Sequence, residues 1–322
     1  MSNATSPTSP QNTGYRVKNW AKYNDALVNR GNITLWFDEE LVENGRHSNE
    51  ETKVGRPFIY SDSVMMFALI LKVMFQLPYR QTEGLLRALV QLSNLQLPVP
   101  DYTSIAKRAE TMKVSIEPGK TASAIDLVVD STGLKVFGEG EWKVRQHGQG
   151  KRRVWRKIHL AVDPHTHYIH AHVTTESNVH DSHVVGELLN QVTPNVQSFR
   201  GDGAYDTHQV YERLTRDGID PIIPPRSNAV ASQQEYVESD GGNPTPRDCA
   251  VWAIQASGEK QWKHDTNYHQ RSNAETAMFR LKRSFGERLF SKKRFRQATE
   301  VALRCKLLNA FVALGMPLSA WS

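Results

Sequence analysis

The segment Ala124-Ile125-Asp126-Leu127-Val128-Val129-Asp130-Ser131-Thr132-Gly133 decides how the rest of the chain is read. Ile125 to Asp130 is a short apolar run, β-branched toward its end, and Ser-Thr-Gly follows. It predicts a buried strand that ends at Asp130 and a turn over 131–133. Downstream, Val154 to Val162 alternates, with Ile158, Leu160 and Val162 on one side and Trp155, Lys157 and His159 on the other. Asp163-Pro164 opens a turn, and His167 to Val173 returns with Ile169, Ala171 and Val173 facing one way. Three consecutive strands of this kind read most simply as an antiparallel meander.

Further along, Asp181 stands near the start of a helix with Val184, Val185, Leu188 and Leu189 inward; His180 and Asp181 follow a strand end and either border a functional site or, the simpler account of Asp181, cap that helix. A brief strand then leads into Gly201-Asp202-Gly203, whose missing side chains would let a ligand approach the backbone. Asp206 precedes Gln209 by three residues, a capping-box pattern for a helix that ends at Gly218. Ile219 to Ile223 is a strand, and 226–265 is a polar insertion carrying Trp252 and Trp262, for which a core role is the default. Helices over about 267–285 and 297–314 close the chain, which gives an α/β order. Upstream of Ile125 the chain reads as helical. Trp20, Tyr23 and Leu27 share a helix; Ser61 or Asp62 caps a second that runs to Pro78; Leu85, Leu86, Leu89 and Leu92 mark a third. From about Asp101 to Met112, Ile105, Ala106, Ala109 and Met112 form an apolar face, opposite Thr103, Ser104, Lys107 and Arg108. This is either a helix-turn-helix reader or a small bundle with one hydrophilic helix. The expected division is a disordered tail over 1–14, a helical DNA-binding domain over 15–118 and a catalytic domain over 119–322.

The chain has 322 residues, 39% hydrophobic and 23% charged, which is ordinary globular composition. Cys249 and Cys305 are too few for a disulfide scaffold or a structural zinc site. The longest apolar run, Val64 to Leu71, is too short to span a bilayer, and the N-terminus is polar. No Walker loop or dinucleotide fingerprint occurs. The expectation is a soluble protein of a reducing compartment, cytoplasmic and nucleoid-associated, with no membrane partner. Net charge is +6, and its clustering says more. Lys143, Arg145, Lys151, Arg152, Arg153, Arg156 and Lys157 fall together without one acid; a second cluster spans Arg280 to Arg296. Interleaved with Trp142, Trp155, Phe285, Phe290 and Phe295, such runs suit a polyanionic partner.

Three acids accompany the two basic runs: Asp130 before the first, and Asp202 and Glu275 between them. At about 100° per residue, with Tyr268 at the origin, Arg271, Glu275 and Lys282 fall at roughly 300°, 340° and 320°, one narrow stripe. Ala274, Ala277, Met278, Leu281 and Phe285 form the adjoining flank, predicted to be buried. Two strand-end aspartates and a helical glutamate, with Arg271 and Lys282 for phosphates, are the donor set that two-metal phosphoryl transfer requires. Taken singly, each acid reads more readily as a surface turn residue or a cap than as a metal ligand. Seven of the twelve histidines lie between His159 and His183, and His170 and His172 share a strand face, a weak pattern for a metal site.

Taken together, Asp130-Ser131-Thr132-Gly133-Leu134-Lys135, Gly201-Asp202-Gly203-Ala204-Tyr205-Asp206 and the Y-x2-R-x3-E-x6-K run from Tyr268 to Lys282 resemble the three signature regions of bacterial insertion-sequence DDE transposases. The segment from Val136 to Arg145 is similar to the insertion-sequence-five family, in a subgroup resembling the transposase of the kanamycin transposon. The resemblance implies an RNase H-like catalytic core with a β-rich insertion, preceded by an all-helical DNA-binding region. It assigns Asp130, Asp202 and Glu275 as the catalytic triad that binds two Mg²⁺ (or Mn²⁺) ions, and Tyr268, Arg271 and Lys282 as DNA contacts. Lys107, Arg108, Arg152, Arg153, Arg156 and Lys157 are the further candidates for DNA contact. The function expected is binding of terminal inverted-repeat DNA, cleavage at the element ends and transfer of the 3′-hydroxyls to target DNA, with a homodimer in the synaptic complex. The competing readings are a nuclease on the same core that cuts without strand transfer, and a non-catalytic DNA-binding regulator derived from a transposase.

Overall fold

The computed structural model describes residues 15–36, 41, 45–47, 57, 59–116, 124–136, 154–192, 195–231 and 244–321. The tail over 1–14, Arg152 and Arg153, the segment from 137 to 145 and the middle of the insertion lie outside the described residues. Strand β1 (Tyr15–Val17) is followed by helices α1 (Trp20–Asn29), α2 (Asp62–Met74), α3 (Tyr79–Ser93) and α4 (Tyr102–Thr111). The sheet-bearing region follows with β2 (Ile125–Val136), β3 (Trp155–Val162), β4 (Ile169–Glu176), α5 (Val185–Leu189), β5 (Val196–Arg200), α6 (His208–Arg216) and β6 (Asp220–Ile222). Helices α7 (Pro246–Ser257), α8 (Glu259–Asp265) and α9 (Ser272–Phe285), the short strand β7 (Arg288–Leu289), helix α10 (Arg294–Leu314) and strand β8 (Ser319–Trp321) complete the chain.

The expected meander is present. Strands β2, β3 and β4 pair antiparallel, while β5 joins β2 in parallel and β6 joins β5, giving the order β4-β3-β2-β5-β6. Alternation along the strands sends Val128, Leu134, Ile158 and Leu160 to one face, into a core shared with α2, α4, α9 and α10. Leu127, Val129, Ala161 and Phe199 go to the other face, under Leu188 of α5 and Val210 and Leu214 of α6.

Local signals account for the helix ends. The Ser61 hydroxyl accepts from the Val64 amide and starts α2, and Asn94 in the left-handed region (φ 55°) stops α3. Asp101 caps α4 by accepting from the Thr103 and Ser104 amides, and the Thr103 hydroxyl, the strongest of these donors, helps hold its carboxyl near a pKa of about 2. Among the described residues no single helix is long and apolar enough to cross a membrane.

Four expectations are corrected. The region before β2 is not all helical, because β1 pairs antiparallel with β8 and ties the two ends of the described chain together. Residues 131–133 are not a turn: β2 runs on to Val136, and Gly133 is small because a Cβ there would come within 3.1 Å of the Trp155 indole. The described part of the insertion is helical rather than β-rich. Thr245 caps α7, with Pro246 in its first turn and Asp248 returning a carboxylate to the Thr245 hydroxyl at 2.7 Å. Asp206 does not cap α6; Thr207 holds that position, and buried Asp206 instead takes the Arg226 amide and the Arg247 guanidinium.

Helix α10 is the pillar of the larger core, with buried residues from Gln297 to Val312 and packing against α2, α4, α9 and β4. Within it, Arg304 (1% exposed) lies 2.8 Å from Glu300 and donates to the Gly286 carbonyl at 2.9 Å. Glu300 in turn accepts the amides of Phe290 and Ser291. This buried pair fastens the α9–α10 connection, and removing one member strands the other in a low-dielectric interior. Glu300→Ala is therefore expected to cost about 3–5 kcal/mol in urea unfolding; a loss below about 1 kcal/mol would show that the pair is dispensable.

Candidate active site

Parallel pairing brings the first two acids together. Val128 is paired with Arg200, the last residue of β5; Asp130 follows two residues later on β2, and Asp202 follows two residues past the end of β5. Asp130 is thus not at the end of its own strand. It lies where its neighbour stops, which opens the β2 edge. Asp202 closes β5 by accepting the Ala204 amide at 2.9 Å and starting a 3-10 turn over Gly203–Tyr205. Gly201 is required by packing rather than by ligand approach, since a Cβ there would fall 2.6 Å from the Tyr205 ring.

Helix α9 supplies the third acid from the Val128 face of the sheet. Ala274, Ala277, Met278, Leu281 and Phe285 are buried, as the helical geometry predicts, and the two alanines let α9 pack closely on β2 and β3. Glu275 stands beside that flank, and the preceding 3-10 turn Tyr268–Arg271 swings the Arg271 guanidinium back between the acids. Arg271 lies 3.1 Å from Asp130 through Nη1 and 2.5 Å from Glu275 through Nη2. Asp202 belongs to the same electrostatic group, because its charge is felt by Asp130, Arg271 and Tyr268.

The charges are not balanced. Burial pushes the Asp130 carboxyl above its ordinary pKa; the Ser131 amide and Arg271 oppose this, while Asp202 and Glu275 add to it. On Arg271, burial works against the charged form, but Tyr268 and the three acids outweigh it and raise its pKa. Three carboxylates against one guanidinium leave an excess of negative charge on hard oxygen donors, the chemistry that fits Mg²⁺ or Mn²⁺. No three His, Cys, Asp or Glu side chains among the described residues stand together as a group that could hold a metal ion, and the Arg271 guanidinium lies between Asp130 and Glu275. His170 and His172 form no such group either. His170 is buried, and burial lowers the His172 pKa to about 4.

The other candidates divide. Tyr268 is half-buried against Trp262, with ring centroids 5.9 Å apart, and Lys282 is half-buried on α9. Lys107 is exposed on α4, whereas Arg108 is paired with Asp62. The connection over 94–101 is longer than the three- or four-residue link of a helix-turn-helix unit. Arg156 is paired with Glu176 and donates to Gln297 at 2.8 Å; Lys157 lies 2.9 Å from Asp181. Trp262 is a core residue, as expected. Asp181 is not a cap, because His180 fills that role and the Asp181 carboxylate turns toward the sheet. Tyr205, 1% exposed beneath the acids, was legible in sequence only as a neighbour of Asp202.

A family model described as a transposase DDE domain matches residues 122–310, and a second of the same description matches 28–139. Among solved structures the chain is similar to the piggyBac transposase synaptic complex with hairpin DNA, at 14% identity and a TM-score of 0.43 over 93% of this chain and 77% of that one.

The raised Asp130 pKa carries a sign. A carboxyl held above its unfolded value costs the native state stability as pH rises through the folded value, and the cost is absent below the unfolded one. Asp130→Asn, with ions removed by chelator, should therefore raise Tm at pH 7 by ~2 °C and give no gain near pH 3. A fall in Tm at pH 7 would show that the Arg271 pair dominates instead.

Proposed function

The chain belongs to the transposase DDE-domain family, and from that premise we propose that it is the transposase of a bacterial insertion sequence of the insertion-sequence-five family, close to the subgroup of the kanamycin transposon. It binds the terminal inverted repeats of its element, cleaves phosphodiesters at the ends and transfers the 3′-hydroxyls to target DNA. The observation that carries this reading is the single guanidinium, Arg271, in contact with both Asp130 and Glu275, with the charge of Asp202 felt by Asp130 and Arg271. The RNase H-like reading of the core is supported by its order of three antiparallel strands followed by two parallel ones.

Asp130, Asp202 and Glu275 would hold a pair of Mg²⁺ or Mn²⁺ ions. When bound, such a pair activates the attacking water or 3′-hydroxyl and stabilises the departing oxygen. The remaining work belongs to the side chains. Arg271, released from the carboxylates, presents its planar fork to a phosphate, and Lys282 adds a point charge along the same helix. Tyr268, next to Arg271 and in the field of Asp130 and Asp202, orients the strand from the α8 side. The same site serves hydrolysis and strand transfer, because each is a displacement at phosphorus with a different oxygen nucleophile. Two ends joined in one reaction call for at least a homodimer in the synaptic assembly. Contact with end DNA by exposed Lys107 and by the basic segment holding Arg152 and Arg153 belongs to the same proposal.

Asp130→Ala, Asp202→Ala and Glu275→Gln are each expected to lower cleavage of an end substrate by at least about 10³-fold, while gel-shift affinity for that substrate changes little. Full cleavage by any one variant removes that residue from the mechanism. Pre-cleaved ends incubated with plasmid distinguish the competing readings: joined products mark a transposase, cutting alone marks a nuclease, and neither marks a regulator.

Arg271 is expected to compete with the ions. Arg271→Gln should bind Mn²⁺ at least about threefold more tightly than wild type, as the free-ion signal in electron paramagnetic resonance reads it, while losing affinity for end DNA. Weaker Mn²⁺ binding in that variant would mean that Arg271 organises the acids rather than occupying their place.

A further inference from the structure

We propose that Asp181 is a positioning residue for the Asp130 carboxylate, acting through the Ser131 peptide. Asp181 does not cap the turn it opens. It opens a 3-10 turn after β4, but the His180 side chain takes the Ser182 amide, so the Asp181 carboxylate is left to face the sheet. There its Oδ1 lies 2.9 Å from Lys157 Nζ and 3.1 Å from His159 Nδ1, both on β3. Each of these partners is itself fixed. Lys157 donates to the Val179 carbonyl at 3.2 Å, and fully buried His159 has its other ring nitrogen 3.0 Å from Thr175 Oγ1.

The register connects this cluster to the acids. Ser131 is paired with His159 across β2 and β3, which puts its side chain on the sheet face where His159 meets Asp181. The Ser131 amide donates to Asp130 Oδ1 at 2.7 Å. Asp181 is therefore tied, through His159 and its cross-strand pair, to the residue whose backbone amide grips Asp130. Tyr205 lies close to the same group of charges. Its buried hydroxyl has no hydrogen-bond partner, and it lies in the field of Asp181, Asp130 and Asp202 together. Lys157, His159, Ser131 and Tyr205 thus face Asp181 from three separate elements: two strands and the turn after β5. A carboxylate held in this way has few alternative rotamers, and neither has the peptide it fixes. Outer-shell partners of this kind typically change ion affinity or activity by about 10–100-fold when removed.

The inference rests on the divalent-ion reading of Asp130, Asp202 and Glu275, so the experiment separates the two. Mn²⁺ binding by the full-length protein is measured by electron paramagnetic resonance, alongside cleavage of a plasmid carrying the element's ends, DNA affinity and Tm. Asp181→Asn keeps size and polarity but loses the charge. It is expected to weaken Mn²⁺ binding by about tenfold and slow cleavage at saturating DNA by at least as much, with DNA affinity within about twofold of wild type. Ser131→Ala, which leaves the backbone amide in place, is expected to shift the same two readouts by a smaller factor with Tm unchanged. It decides the matter alone if Asp181→Asn does not fold. Wild-type Mn²⁺ affinity in a folded variant of either kind overturns the proposal, as does a loss of cleavage that merely follows a loss of Tm. A wild-type protein that binds no Mn²⁺ overturns both this inference and the reading beneath it, whereas equal binding by wild type and variants overturns this inference alone.

Discussion

Acids gathered at one edge of a sheet repel one another, and everything around Asp130 is arranged to tolerate that repulsion. Parallel pairing of β2 with β5 sets Asp130 near Asp202, and α9 lays Glu275 across the opening. Arg271 is the counter-charge that lets the cluster persist in the folded chain. The result is an Asp130 carboxyl held above its ordinary pKa by burial and by the charges of Asp202 and Glu275.

The scaffold meets this demand with rigidity. Alanines at 274 and 277 bring α9 close to the strands, and α10 packs behind it along most of its length. The connection between the two helices is clamped by the buried Arg304–Glu300 pair and its backbone contacts. On the opposite face, Tyr205 packs edge-on against Phe199 at 5.7 Å and uses the space that Gly201 leaves open. The turn carrying Asp202 is thereby fixed from below.

Much of this was legible in the sequence because it depends on period and local chemistry. The strand alternation at Ile158, Leu160 and Val162, the buried flank of α9, and a cap at Ser61 or Asp62, which the structure gives to Ser61, follow from spacing and side-chain type alone. What escaped depends on partners distant in the chain. Gly133 resembles a turn residue until Trp155 is placed over it, and Asp206 resembles a cap until Arg247 arrives from the insertion. Asp181 resembles a cap until β3 brings Lys157 and His159 to it. Basic clusters mislead in the same way: Arg156, Lys157 and Arg108 are cations in a run of sequence, yet each is paired with an acid of the same chain.

The central claim is that Asp130, Asp202 and Glu275 form one ion-binding centre from which Arg271 must withdraw. Anomalous diffraction from crystals of the protein soaked in Mn²⁺ addresses it directly. The account predicts scattering peaks bounded by those three carboxylates, with the Arg271 guanidinium moved off Asp130 and Glu275. Peaks elsewhere, or an Arg271 still bridging the two acids at saturating Mn²⁺, would contradict it.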